Sequence, residues 1–427
     1  MFRQIITEYY NIKMKPFIKT LLIVSLINIA CTSFSQDSTK QKVKTLEQGK
    51  FYFMPLPVLG YNPVMGFLYG AAGSGNFLAG SKEDTRLSAL FTTVTYSTNK
   101  QLHISLKSNV YTNKDQWMLI GDWRYFLSSQ PTYGLGTGPQ SNILLNERGQ
   151  NLYLGDYQDG VESKELMLYD LIRLYETALY QLKRGIYLGL GYHYDRYSNI
   201  IDQITNLDTI PPIISKHYAY SKIHNYNPEK YTISGPSLNF MFDTRDNINN
   251  PYTGSYALLQ LRYNPTWLGS DSFSTTLWLE YRKYFRVSKK VERNLIAIWS
   301  FFNLTVAGQL PYMGLPSLGW DQMGRSGRAY PQGRFRGEQL FYFESEYRFR
   351  IPLFSKNPDF VGGVIFANVT SASATDLNVK LFDYLKPGLG LGLRFMFQQA
   401  TRTNVTFDYG IGADLKGAFF FNLKEYF

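Results

Sequence analysis

The 427-residue chain carries one cysteine, Cys31, and only four histidines. A lone cysteine cannot supply a disulfide framework or a thiolate metal site. Long apolar runs are also scarce. Past the N-terminal stretch no segment offers about 18 consecutive apolar residues, which excludes spanning helices. Charged residues make up just 18% of the chain, and the net charge is +11. A basic balance invites nucleic acid, but such a footprint needs its cations clustered on one face. Here Lys and Arg are scattered and sit beside acids in strand-like segments. They read as lumen lining and interfacial charge, with attraction to anionic lipid headgroups as a further role.

Aromatics are plentiful, with Tyr 34 and Phe 30, while mean hydropathy is only -0.23. Strands that alternate between lipid and a polar lumen combine these properties, because the alternation averages out. The N-terminus reads as an export signal over residues 1–35, with Met14 the better of two starts. Lys15 and Lys19 form its basic region, Leu21 to Ile29 its apolar one, and Ser33 and Ser35 place small residues before the cut. Lipid attachment at Cys31 is the competing reading. Ala30 suits it, but Asn28 stands where an aliphatic residue is expected. Residues 36–50 read as a short polar, lysine-rich lead-in, and 51–427 as a transmembrane barrel.

Sixteen strand-like segments are expected near 52–59, 64–75, 87–98, 102–113, 115–127, 165–180, 184–197, 231–243, 254–265, 272–287, 293–307, 340–352, 360–369, 386–398, 402–410 and 416–427. Alternation within them is clean. Leu238, Phe240 and Phe242 oppose Asn239, Asp243 and Arg245. Leu389, Leu391, Leu393 and Phe395 oppose Gly388, Gly390, Gly392 and Arg394. Phe343, Tyr347 and Phe349 oppose Glu344, Glu346, Arg348 and Arg350. The long connections, 128–164, 198–230, 308–339 and 370–385, each join an odd strand to an even one. Short turns on one side and long loops on the other are the habit of outer-membrane barrels. The fold class is therefore all-β: an antiparallel barrel of about sixteen strands, with both ends of the chain on the periplasmic side.

Ordered motifs in the second half carry a family likeness. Phe242-Asp-Thr-Arg-Asp246 precedes Pro251-Tyr-Thr-Gly254. Phe335-Arg336-Gly337 ends a Gly/Pro-rich loop. Glu346 and Arg348 follow, then Pro352, then Leu389-Gly-Leu-Gly-Leu-Arg394 and Asp408-Tyr-Gly410. In this order they resemble the BamA/TamA superfamily of outer-membrane assembly and translocation barrels (the bacterial surface antigen family), from about Pro57 to Phe427. The resemblance implies that the sixth external loop folds into the lumen. There Arg336, beside Gly337, would pair with Glu346 and next with Glu344, a rigid fork on a carboxylate. Two positions depart from the pattern. Glu338 stands where an aromatic is usual, and Asn368 of Phe366-Ala-Asn368 replaces an aspartate. The family's periplasmic POTRA domains have no counterpart in 36–51, which implies a short class and a separate protein partner.

Pro55 and Pro57 lack N–H groups, and proline favours strand edges. They point to a weak seam between the first and last strands, open to strand addition by a client, unless they lie in the lead-in. The terminal Phe427 shares a parity with Phe419, Phe421 and Leu423 and reads as an assembly signal. Catalysis is not expected. His103 alternates with Ser105, His193 with Asp195, and His217 and His224 match no metal spacing. Gly134-Leu-Gly-Thr-Gly138 lacks a phosphate-loop lysine. No cofactor, metal or nucleic acid is implied. The expected function is assembly or translocation of outer-membrane or surface protein clients, in contact with outer-membrane lipid and a periplasmic or outer-membrane protein partner. The alternative is a gated or passive pore.

Overall fold

The computed structural model describes residues 47–62, 66–139, 165–208, 214–354, 357–399, 402–414 and 417–427. The export signal and most of the lead-in lie outside them. At the end of the lead-in, Gln48 forms a parallel bridge with Leu78.

Sixteen strands form one sheet in chain order. They are β1 (Tyr52–Asn62), β2 (Gly66–Phe77), β3 (Ser88–Ser97), β4 (Leu102–Tyr111), β5 (Trp117–Thr132) and β6 (Glu165–Lys183). Then follow β7 (Ile186–Asp202), β8 (Tyr231–Asp243), β9 (Gly254–Asn264), β10 (Ser274–Arg286) and β11 (Leu295–Gly308). The last are β12 (Gln339–Arg350), β13 (Val361–Ala372), β14 (Lys386–Gln398), β15 (Thr403–Gly412) and β16 (Gly417–Leu423). One helix, α1 (Lys216–Ile223), sits in the β7–β8 connection with Ser215 as its N-cap. Every adjacent pair is antiparallel. The sheet is the wall of a barrel. Lys424, just past β16, lies 5.9 Å from the ring centroid of Phe91 on β3.

Period-two alternation decides the two faces. On β14, Leu389 and Leu391 are 65% and 62% exposed, while Arg394 is 2% exposed. On β12, Leu340, Tyr342, Glu344, Glu346 and Arg348 are buried, while Tyr347 faces out. The buried face is polar and the exposed face apolar, the reverse of a water-soluble sheet and the arrangement a lipid-embedded wall requires.

Two apolar clusters close the lumen at either end of its β5–β11 side. Near the long loops, Tyr220 of α1 packs with Leu310, Tyr312, Met313 and Leu315 of the β11–β12 loop. Near the short turns, Tyr111, Met118, Leu179, Tyr187, Met241 and Tyr256 pack together.

The last strand is shorter than its sequence suggests. It stops at Leu423, where Lys424 takes a φ of 78°, and residues 424–427 turn into the lumen. A positive φ ends an extended strand, and the Glu425 carboxylate inside supplies the pull.

Candidate functional site

The β11–β12 loop, residues 309–338, crosses the lumen and is held on opposite walls. On one side its Gln322 carbonyl accepts Lys107 Nζ and Arg124 Nη2, each at 2.8 Å. On the other, Arg328 enters a fully buried carboxylate cluster. Its Nη2 donates to Glu344 Oε1 and Glu346 Oε1, and its Nη1 reaches Asp408 Oδ2 at 3.2 Å. The guanidinium lies between the rings of Phe366 (3.9 Å) and Tyr426 (4.0 Å). A buried charge persists only when paired and hydrogen-bonded; here three carboxylates and two ring faces meet one cation.

The loop arginine on the wall acids is therefore Arg328, and the assignment of that role to Arg336 is corrected. Arg336 is buried, but its Nη1 donates to the Tyr312 carbonyl at 2.8 Å, and its guanidinium lies 5.2 Å from the Tyr312 ring. The reason is reach. Arg336 stands three residues before β12 begins, whereas Glu344 and Glu346 lie roughly 17–24 Å along that strand at ~3.4 Å per residue. Only the part of the loop that descends into the lumen gets there. Gly327-Arg328 is one of three Gly–Arg steps in the loop, with Gly324-Arg325 and Gly333-Arg334, so the step by itself does not single out Arg328.

Gly337 is required where the loop rejoins the wall: a Cβ there would lie 1.9 Å from the Ser373 carbonyl oxygen. Both departures from the family pattern have work in this structure. Asn368 Nδ2 donates to the Arg328 carbonyl at 2.6 Å and to Glu344 Oε2 at 3.3 Å. An ionised aspartate could donate neither bond. Glu338 Oε2 accepts from Ser373 Oγ and Thr375 N, pinning the β13–β14 loop.

The cluster extends into the C-terminal tail. Arg348 bonds Glu346 at 2.6 Å and donates to the Phe427 main-chain oxygen at 3.0 Å. Arg394 bridges Asp408 (2.6 Å) and Glu425 (2.8 Å). Burial alone would raise the Glu425 carboxyl, but Arg394 and Arg348 outweigh it and bring it down to about 2. The Phe427 ring packs on Trp299 (5.3 Å) and Tyr284 (6.2 Å). Phe419 and Phe421 face outward, but Phe427, grouped with them by parity, is 4% exposed and inside. The turn at Lys424 is the cause.

The Asp243–Gly254 motif braces the short-turn end. Arg245 grips both Asp243 oxygens at 2.9 Å, and Arg86 from the β2–β3 turn adds a contact at 3.2 Å. Asp246 Oδ1 caps the amides of Tyr252 and Thr253, which flank the turn at the buried Pro251. Its Oδ2 pairs with Arg402 at 2.6 Å. Gly254 has a φ of 102° that a side chain rarely adopts.

The histidines serve separate contacts. His103 meets Ser128 (2.7 Å) and His193 meets Ser237 (2.8 Å). His217 meets Asp202 (2.8 Å) and His224 meets Asp376 (3.0 Å). Asp195 is engaged by Arg173, Arg262 and Tyr175 rather than by His193. Among the described residues no group of three His, Cys, Asp or Glu is placed to hold a metal.

The seam completes the site. Pro55 and Pro57 lie inside β1, not in the lead-in, and pair in register with Gly73 and Ala71 of β2. Alternate residues of an antiparallel strand aim their amides at opposite neighbours. Pro55 and Pro57 share a parity, so both missing donors fall on one and the same edge of β1. Among the described residues β1 has no pairing with β16.

An Omp85 superfamily domain profile matches residues 69–423. The fold is similar to that of BamA from Haemophilus ducreyi lacking POTRA domains 1–3, with a TM-score of 0.54 at 14% identity, over 88% of this chain and 70% of that one. It is also similar to CdiB from Escherichia coli, with a TM-score of 0.51 at 10% identity, over 87% of this chain and 62% of that one. No curated protein matches in sequence.

Proposed function

The chain belongs to the Omp85 superfamily of outer-membrane β-barrels, and from that premise we propose that it inserts or translocates outer-membrane or surface protein clients through the β1–β16 seam. The observation that carries this reading is the unpaired seam itself. On one side, β1 lacks two amide donors at Pro55 and Pro57. On the other, β16 stops at Leu423 and residues 424–427 beyond it turn inward. An edge with unpaired carbonyls is a template for strand addition. A client strand would satisfy it without first breaking a full ladder of hydrogen bonds. The loop held by Arg328 keeps the lumen filled while the wall opens. Clients arrive through a periplasmic or outer-membrane protein partner, and the chemistry needs no bound cofactor or catalytic residue.

The test is to join β1 and β16 covalently, with one cysteine placed in each and a short crosslinker. A barrel locked in this way is expected to lose client insertion in proteoliposomes and to regain it on reduction. Full activity of the locked barrel would sink the seam mechanism. A gated pore is the second reading, favoured by the lumen-crossing loop. It predicts that removing 309–338 raises ion conductance while the levels of other outer-membrane proteins stay unchanged.

A further inference from the structure

The crossing loop leaves a chamber on the β5–β11 side of the lumen, about 200 Å³ in volume. Its roof is Leu310, Met313 and Leu315 of the loop, and its floor is Leu179 and Tyr256. Between two apolar lids the walls are polar. The space has room for several waters, or for one sugar ring with its hydroxyls.

Each fixed charge around it already holds a partner. Arg173 and Arg262 share Asp195. Arg124 holds Asp122, and Arg282 holds Glu280. Asp321 is occupied by the amides of Met323, Arg325 and Ser326. A charged ligand would have to break one of these pairs. The unmet valences are neutral. His193 bonds Ser237 through Nε2, and its Nδ1 finds no partner among the described residues; Trp320 Nε1 finds none either. Both line the chamber, and His193 is 3% exposed. Leaving a buried polar atom unpaired costs about 1–3 kcal/mol, so each favours an occupant that bonds to it. Asn239 is held by Ser237 and Gln260, while the side-chain amides of Gln260 and Asn303 line the chamber with donor and acceptor groups of the kind hydroxyls require. Trp278 and Trp320 add flat apolar faces to the same walls.

We propose that this chamber is a binding site for a neutral, hydroxyl-rich small molecule of the saccharide class, about one sugar ring in size. The assignment is independent of the seam mechanism. The chamber is partly open rather than sealed, so the site is a station that the rest of the lumen can reach.

The experiment is calorimetric titration of the purified full-length barrel in detergent with glucose, galactose, mannose and N-acetylglucosamine, with glucuronate as the charged probe. Saturable binding of at least one neutral sugar in the millimolar range is expected, with glucuronate at least tenfold weaker. The double variant Gln260→Leu/Asn303→Leu, checked for folding by heat-dependent gel mobility, should weaken binding about tenfold, the equivalent of ~1.4 kcal/mol. Trp320→Phe should diminish the sugar-dependent change in tryptophan emission while the barrel stays folded. Absence of saturable binding to every neutral sugar by the wild-type barrel up to tens of millimolar overturns the assignment and leaves a water-filled void. Tighter binding of glucuronate than of any neutral sugar overturns the ligand class. Both decisive readouts use the wild-type chain, so a variant that fails to fold does not blunt them.

Discussion

On the β12–β15 wall Glu344, Glu346 and Asp408 face only two wall arginines of the cluster, Arg348 and Arg394, and the tail adds Glu425. On the β5–β11 wall every acid is already held by an arginine of the wall: Asp122 by Arg124, Asp195 by both Arg173 and Arg262, and Glu280 by Arg282. The first wall needs a cation from elsewhere, and the loop delivers Arg328 to it. The second needs none, and a chamber remains beside it. Both walls use the same device, an arginine two residues from a carboxylate on one strand face. The surplus of acid on one side is what selects where the loop docks.

That comparison can be broken most directly at Arg328. Arg328→Ala leaves buried carboxylates without their shared cation and is expected to cost about 3–5 kcal/mol. Denaturant unfolding of the detergent-solubilised barrel measures it, and bilayer conductance should rise as the loop loosens. Arg336→Ala removes a charge-assisted bond to a carbonyl and should cost less, about 1.5–3 kcal/mol. If the two costs came out in the opposite order, the placement of the lock would be wrong. Asn368→Asp turns a donor to the Arg328 carbonyl into a second negative group beside Glu344. It should cost about 1–3 kcal/mol, whereas a stabilised variant would show that charge, not donation, matters there.

The smallest change is in pH response. Glu425 is held down at about 2 against its ordinary 4.5. Its carboxyl is depressed in the folded state, so its contribution is fully present above about pH 4.5 and fades as pH falls through about 2. Comparing wild type with Glu425→Gln across that window should show a gap that is constant near neutrality and closes in acid. A gap that instead closed between pH 5 and 7 would place the carboxyl outside the arginine cluster.

Much of this architecture is readable without coordinates. β8 and β14 match the expected segments at both ends, and the four long connections fall between β5 and β6, β7 and β8, β11 and β12, and β13 and β14. The faces of Asn239, Asp243, Arg394 and Asp408 also follow from alternation. The loop arginine did not follow, because Arg336 and Arg328 both stand beside glycine in one long loop, and linear spacing does not say how deep each residue travels. The tail misled for a related reason. Phe427 shares a parity with Phe419 and Phe421 yet lies inside, because parity sets a common face only while the chain stays extended.

The sequence by itself determined the sixteen strands, their two faces and the sidedness of the loops, because a period of two is a local property of an extended backbone between lipid and water. Only the tertiary structure decided which arginine meets Glu344 and Glu346, that Lys424 to Phe427 turn inward, and that one side of the lumen keeps a chamber. These depend on pairing groups from elements far apart in the chain, such as Arg325 with the Glu425 carbonyl and Arg124 with the Gln322 carbonyl. Which partner prevails is settled by what the rest of the wall leaves unmatched.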